Sequence, residues 1–234
     1  MSDLETSWTL IREAANGNSV KQATFAKLYG PILRKYFEYR WPSNRQKQEV
    51  DDGVQEVLLL CIRPDGPLSR VDPAAPAGFR GFLKGIARNI ALKINQREKR
   101  ACHQPDEETR IAELAGNESS AADQFDRSWA LMIMHEARKR FVEQACDASA
   151  KQRVELLRLR FEEGEPIREI AVILNPDCQN DTSVFEAECK KWHREFQKAK
   201  TEFWRALLNV VAIHSPGTPA EIERECRDLL NALS

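Results

Sequence analysis

The chain has 234 residues, 42% of them apolar and 30% charged, and its formal net charge is −1 at pH 7. These values are typical of a soluble globular protein with one large domain or two small ones. No apolar run approaches the length of a membrane span, and Met1 to Glu5 lack the basic and apolar parts of a secretory signal. We therefore expect a cytoplasmic protein with no membrane insertion.

The six cysteines are scattered along the chain and never form a C-x-x-C pair. This spacing predicts reduced thiols and argues against a disulfide framework or a zinc ribbon. Cys178, Cys189 and His193 could suggest a metal site, but a third and fourth ligand are not evident, so we predict none. No Ser/His/Asp set, glycine-rich phosphate cradle or inward carboxylate pair stands out, so we expect neither an enzyme nor a cofactor.

Taken in order, the first part of the chain predicts three helices. The first ends at Asn16-Gly17, which is a helix C-terminal signal. The second begins near Val20 and contains Pro31, which must bend or restart it because proline removes a backbone donor. The third runs from about Gln48 to Arg63.

An acidic, amide-bearing patch lies near the start of the third predicted helix and consists of Asp51, Asp52, Gln55 and Glu56. Acids in the first turns of a helix complement its dipole, so ordinary stabilisation is an alternative to a binding role. The proline-rich stretch 64–78 then predicts a loop, which is either functional or a plain spacer.

The stretch 79–100 predicts an amphipathic helix with an apolar floor and a cationic roof. Its seven cations against one acid, Glu98, give it a local charge of +6 in a chain of net charge −1. Such a helix, with Asn89, Asn95 and Gln96 among the cations, suits a polyanion that carries readable bases. A solvated basic face is the alternative.

Two blocks of this region, Asp51-Asp52-Gly53-Val54-Gln55-Glu56-Val57 and Phe79-Arg80-Gly81-Phe82-Leu83-Lys84-Gly85-Ile86-Ala87-Arg88-Asn89, resemble the second conserved region of sigma-70-type RNA polymerase sigma factors. The resemblance is closest to the extracytoplasmic-function group. Two departures stand out. Gly53 replaces the usual leucine, and Phe82 stands where tryptophan is common.

The resemblance implies that the acidic patch Asp51, Asp52, Gln55 and Glu56 docks on the clamp helices of the largest subunit of the polymerase core. It implies that the loop 64–78 lies beside the displaced DNA strand. The residues that it implies for the promoter −10 element are Arg80, Lys84, Arg88, Asn89, Lys93 and Arg97.

Residues 101–126 are rich in acids and predict a linker that is flexible or only partly helical. In the resembling family a linker of this kind joins two DNA-reading domains. Its acidity also suggests that it lies over the basic helix in the free protein.

Residues 127–214 predict a second helical domain. Gly164-Glu165-Pro166 followed by a short helix over 167–174 is typical of a helix-turn-helix and resembles the fourth conserved region of sigma factors. Ser183 with Glu186 predicts a capping box at the start of a long helix. Matching the family pattern requires an insertion around 177–190. The candidate residues for the −35 element are Arg168, Lys190, Lys191, His193, Arg194 and Lys198; a partner surface is the alternative.

Residues 215–234 predict a C-terminal helical extension with a capping box at Thr218 and Glu221. Its apolar stripe is expected to pack on the second domain, or less readily on a separate inhibitory protein such as an anti-sigma factor.

Together these patterns predict an all-α protein with two small helical domains, a region 2-like bundle over 1–100 and a region 4-like helix-turn-helix over 127–214. The expected function is that of a sigma factor of the extracytoplasmic-function type, with RNA polymerase core and promoter DNA as partners. Two alternatives stay open: a stand-alone helix-turn-helix regulator and a helical protein-interaction module.

Overall fold

The computed structural model describes the backbone of residues 7–41, 47–72, 75, 78–101 and 107–234, and their side chains except at 7, 47, 98–101 and 107–117. Within this part of the chain every regular element is helical, which confirms the all-α prediction. The helices are α1 Ser7–Ala15, α2 Ser19–Arg40, α3 Lys47–Ile62, α4 Gly78–Ala101, α5 Glu107–Gln144, α6 Ala148–Phe161, α7 Ile167–Leu174, α8 Thr182–His214 and α9 Pro219–Asn231. The chain divides into two compact units, residues 1–132 with 211–234, and residues 133–210.

The first turns of the fold follow the local signals of the sequence. Gly17 has φ 85°, a left-handed conformation that ends α1, and the Asn18 side chain accepts from the first amides of α2. Pro31 does not restart α2, which continues through it as one helix. Because Pro31 is exposed, the carbonyl that it leaves without a helical donor lies where water can reach it.

An aromatic cluster forms the centre of the first unit. Phe79, at the start of α4, contacts Tyr29 with ring centroids 5.2 Å apart, and Tyr29 stacks on Trp129 at 5.5 Å. All three side chains are buried. Aromatic pairs of this kind contribute about 0.5–1.5 kcal/mol beyond the apolar area that they bury. The cluster therefore anchors the beginning of α4 to α2 and α5.

The segment predicted as a linker is helical from Glu107 onward, as part of α5. Its later residues belong to the first unit, where Ala121 and Phe125 are buried together with Trp129. These three positions recur every four residues, so they form one apolar stripe despite the acids around them. Residues 102–106 of the predicted linker lie outside the described residues.

The C-terminal helix α9 belongs to the first unit and not to the second, where its stripe was expected to pack. The predicted capping box of Thr218 and Glu221 is confirmed. Cys226 and Leu229 are buried on its inner side, and Arg127 of α5 donates to the carbonyl of Leu233 at 3.2 Å.

The second unit packs α6, α7 and α8 around a small apolar core. The buried members of this core are Leu156, Leu159, Ile167, Ile170, Ala171 and Trp192. Gly164, with φ 79°, makes the turn between α6 and α7 that the sequence predicts. The capping prediction at Ser183 is wrong by two residues, because Asp181 accepts from the Ser183 and Val184 amides and from the Ser183 hydroxyl.

Candidate nucleic-acid interface

Helix α4 has the buried floor that its apolar spacing predicts. Phe79, Leu83, Ala87 and Ile90 are buried, while Phe82 and Ile94 of the same stripe are half-buried. The opposite side of the helix therefore carries the cations. The structure separates these cations into two groups with different surroundings.

The first two cations of α4 form ion pairs within the first unit. Arg80 lies 3.2 Å from Asp126 of α5, and its Nε and Nη2 each lie 3.1 Å from one oxygen of Glu225 in α9. Lys84 Nζ lies 2.7 Å from Asp126. The Arg80 and Lys84 side chains are only 18% and 31% exposed. These two predicted DNA contacts are thus already occupied by carboxylates in the free chain.

The later predicted contacts face outward. Arg88 is 63% exposed, with Glu118 of α5 at 3.6 Å, and Arg97 is 67% exposed. Asn89 and Lys93 are also exposed. We call these four residues the exposed row of α4. Asn89, Lys93 and Arg97 follow one another at four-residue spacing and span about 12 Å at a rise of about 1.5 Å per residue, long enough to follow more than one phosphate of a strand, whereas Arg88 lies toward α5.

Asn95, which the sequence places among the cations, instead faces the interior. It is buried, and its Oδ1 accepts from the Trp41 indole at 2.9 Å. A local signal for this exists, since Asn95 follows the buried Ala87 and Ala91 at four-residue spacing. It joins the end of α2 to α4 and cannot read a base.

A small cavity of about 290 Å³ lies beside Phe82 and is lined by Arg63, Asp65, Pro67 and Arg70 from the segment after α3. Gly66 shapes this segment, because a Cβ there would lie within 2.6–2.9 Å of three carbonyl oxygens. The cavity combines an aromatic ring with two guanidinium groups, which suits a planar base and its phosphate. Sequence reasoning left the pocket residues of this loop unnamed, because they meet only when the loop folds back toward α4.

The acidic patch of α3 is divided by the fold. Asp51 pairs with Arg34, and Glu56 lies 3.2 Å from Arg97, whereas Asp52 and Gln55 are exposed. Leu59 shares the outward face of these two residues and is 63% exposed. Periodicity does not show that Leu59 lies outside, because the second half of α3 is apolar on nearly every side. Two polar groups and one apolar anchor suit a protein partner.

The candidate −35 residues of the second unit differ in whether their side chains form ion pairs with carboxylates. Lys191 pairs with Glu188 at 3.0 Å, and Lys198 pairs with Glu195 at 2.7 Å, both on α8 itself. Arg168 of α7 is exposed and lies over the Phe185 ring.

Lys190, His193 and Arg194 are exposed and lie at three- and four-residue spacing, so they share one face of α8. Among the described residues, this face offers three side chains that can donate hydrogen bonds in a DNA groove. Glu186 and Glu188 of α8 lie before this face in the sequence, and Asp181 caps the helix.

The cysteines of the described residues differ in burial: Cys61, Cys178 and Cys226 are buried, whereas Cys146 is exposed. Burial raises the pKa of Cys61 to about 12 and that of Cys226 to about 11. Cys178 is buried and its thiol donates to the carbonyl of Ala171. No three His, Cys, Asp or Glu residues of the described ranges are grouped as metal ligands.

Among the residues that the structure describes, no helix combines the length and the apolar character needed to cross a bilayer. In comparisons with known proteins, no family model, no curated protein and no solved structure matches this chain.

Proposed function

We propose that this chain is a promoter-specificity subunit of RNA polymerase, a sigma factor of the extracytoplasmic-function type. The observation that carries the proposal is the exposed row of α4, formed by Arg88, Asn89, Lys93 and Arg97 on a helix whose floor is fixed in an aromatic core. A rigid helix with outward cations and an amide can hold a strand by its phosphates and contact its bases.

Two neighbouring features of the first unit support the same function. The cavity beside Phe82, with Arg63 and Arg70, has the chemistry to take a base that has left the stack. The exposed Asp52 and Leu59 of α3 offer a separate surface for the polymerase core. DNA and protein would then be met by different helices of one unit.

The low net charge fits a protein that binds DNA weakly until the core aligns its two units. Binding to purified core tests this first. The fluorescently labelled chain should form a stoichiometric complex with core, and the complex should bind promoter DNA with a steeper salt dependence than the chain alone. A chain that never associates with core at micromolar concentration would contradict the proposal.

A second candidate function is a stand-alone helix-turn-helix regulator. The exposed face of Lys190, His193 and Arg194 on α8, behind the short α7, favours it. This alternative predicts a dimer that binds a palindromic site tightly without polymerase. Sedimentation of the chain with and without selected duplexes separates the two functions.

A further inference from the structure

At the start of α4, the cationic side is covered by α9, which lies near the other end of the sequence. Glu225 of α9 presents its two carboxylate oxygens to Nε and Nη2 of Arg80, each at 3.1 Å. Asp126 of α5 lies 3.2 Å from the same guanidinium and 2.7 Å from Lys84. One arginine is therefore shared between two carboxylates that lie 46 and 145 positions away in the sequence.

The geometry at Glu225 is the one that a phosphate takes on an arginine. A guanidinium binds carboxylate and phosphate in the same two-pronged manner, through parallel N–H donors. Glu225 thus occupies the donors of Arg80 that a nucleic-acid backbone would use. Because Arg80 is partly exposed, water reaches the pair and an incoming phosphate can compete for it.

The helix that carries Glu225 is a separately capped element at the end of the first unit. Helix α9 spans Pro219–Asn231, has its own capping box and follows a short connection from α8. Its inner side is held by Cys226 and Leu229 and by the contact of Arg127 with the Leu233 carbonyl. Because the Cys226 thiol is buried on the inner side of α9, its reactivity reports whether this helix is packed in place.

We propose that α9 is an intramolecular latch, in which Glu225 mimics a phosphate on Arg80 and is displaced when a nucleic-acid strand binds α4. The inference rests on the proposed function to the extent that α4 meets a DNA strand. In the free chain Asp126 and Glu225 hold Arg80, so only the exposed row is available to a nucleic-acid strand. When α9 leaves, Asp126 still lies beside Lys84, and Arg80, which lies on the line of Lys84 and Arg88 at four-residue spacing, gains free donors for one more phosphate.

The first test compares Glu225→Gln with Glu223→Gln in binding a fluorescent single-stranded oligonucleotide. Both substitutions remove one negative charge from α9, but Glu223 is exposed and lies 3.9 Å from Arg227 of its own helix. We expect Glu225→Gln to bind about two- to five-fold more tightly than Glu223→Gln at low salt. Its salt slope should steepen by about 0.7, the contribution of one more phosphate contact on a single strand.

The second test follows α9 itself in the wild-type chain. Peptide-resolved alkylation measures the labelling rate of Cys226, with the buried Cys61 of α3 as the internal control. Saturating oligonucleotide should accelerate labelling of Cys226 and leave that of Cys61 unchanged.

The outcomes separate the latch from the proposed function. Equal affinities of the two variants, or Cys226 labelling that DNA does not change, would overturn the latch while transcription with core could still succeed. Latch behaviour without any transcription would instead refute the sigma-factor proposal and leave the latch standing. If no variant binds the oligonucleotide at low salt, the latch is overturned, while association with core and transcription still test the proposed function separately.

Discussion

Neutralising the exposed cations of α4, in the variant Arg88→Gln/Lys93→Gln/Arg97→Gln, should remove a defined part of the salt dependence of single-stranded DNA binding. Each neutralised phosphate contributes about −0.7 to the slope of log K against log salt concentration. Three contacts amount to about −2.1, or an affinity loss of about 18-fold between 50 and 200 mM salt.

The structure sets this number at three and not five. Arg80 and Lys84 are largely enclosed in their ion pairs, whereas Arg88 and Arg97 are well exposed beside Glu118 and Glu56 and can exchange these carboxylates for phosphates. If all five cations were available, their share of the slope would be about −3.5, or about 130-fold over the same salt range. The difference between the slopes of the wild type and the triple variant measures the contribution of the three exposed cations.

Fluorescence anisotropy with a labelled oligonucleotide, at four or more salt concentrations, measures these slopes. The matched control is Arg12→Gln/Lys27→Gln/Lys35→Gln, which removes the same charge from exposed positions of α1 and α2. The control should keep the wild-type slope. Equal slopes for the wild type and the α4 variant would refute the assignment of this row to a DNA strand.

Three further predictions test other parts of the structure. Glu118→Ala should lower the free energy of unfolding by about 1–3 kcal/mol, because the Tyr36 hydroxyl donates to this carboxylate. The control Ser120→Ala, exposed on the same helix, should change this free energy by less than about 0.5 kcal/mol. Urea titrations measure both. Hydrogen bonds from Ser183 and Val184 hold the pKa of Asp181 below its usual value. The cap should therefore be complete above pH about 4 and be lost as the pH falls through the lowered pKa of the folded state. Amide exchange in the first turn of α8 should show this loss in the wild type and not in Asp181→Asn. Leu59→Ser should weaken binding to polymerase core without changing oligonucleotide affinity, and equal core binding by both proteins would contradict the role given to this face.

Much of the fold follows from helical periodicity. The floor of α4 is buried at most of the positions that its three-and-four spacing marks, and the capping box at Thr218 is formed as predicted. The stripe of Ala121, Phe125 and Trp129 obeys the same rule, yet the surrounding acids led to a predicted linker over 101–126, which separated the first two residues from Trp129 in the predicted second domain. The acidic composition gave a wrong prediction of burial where the four-residue spacing gave the right one, because burial depends on the residues of one helix face and not on the average polarity of the segment.

The candidate site was less predictable than the fold because its charges find partners over long sequence separations. The acidity of 101–126 predicts that this segment lies over α4, as Asp126 does at Arg80, but no local pattern shows that Glu225 of α9 reaches the same guanidinium. In the same way, Asn95 looks like a polar roof residue until the Trp41 indole is placed beside it. Local rules predict which groups a helix carries, and tertiary contacts decide which of them remain available.

Transcription by purified core polymerase on a library of random-sequence templates, with and without this chain, tests the central claim most directly. The account predicts that the chain adds transcripts whose templates share two short upstream sequence patterns at a fixed spacing. The variant Arg88→Gln/Lys93→Gln/Arg97→Gln should lose most of these transcripts, while the control Arg12→Gln/Lys27→Gln/Lys35→Gln should keep them. The same set of transcript starts with and without the chain would contradict the account.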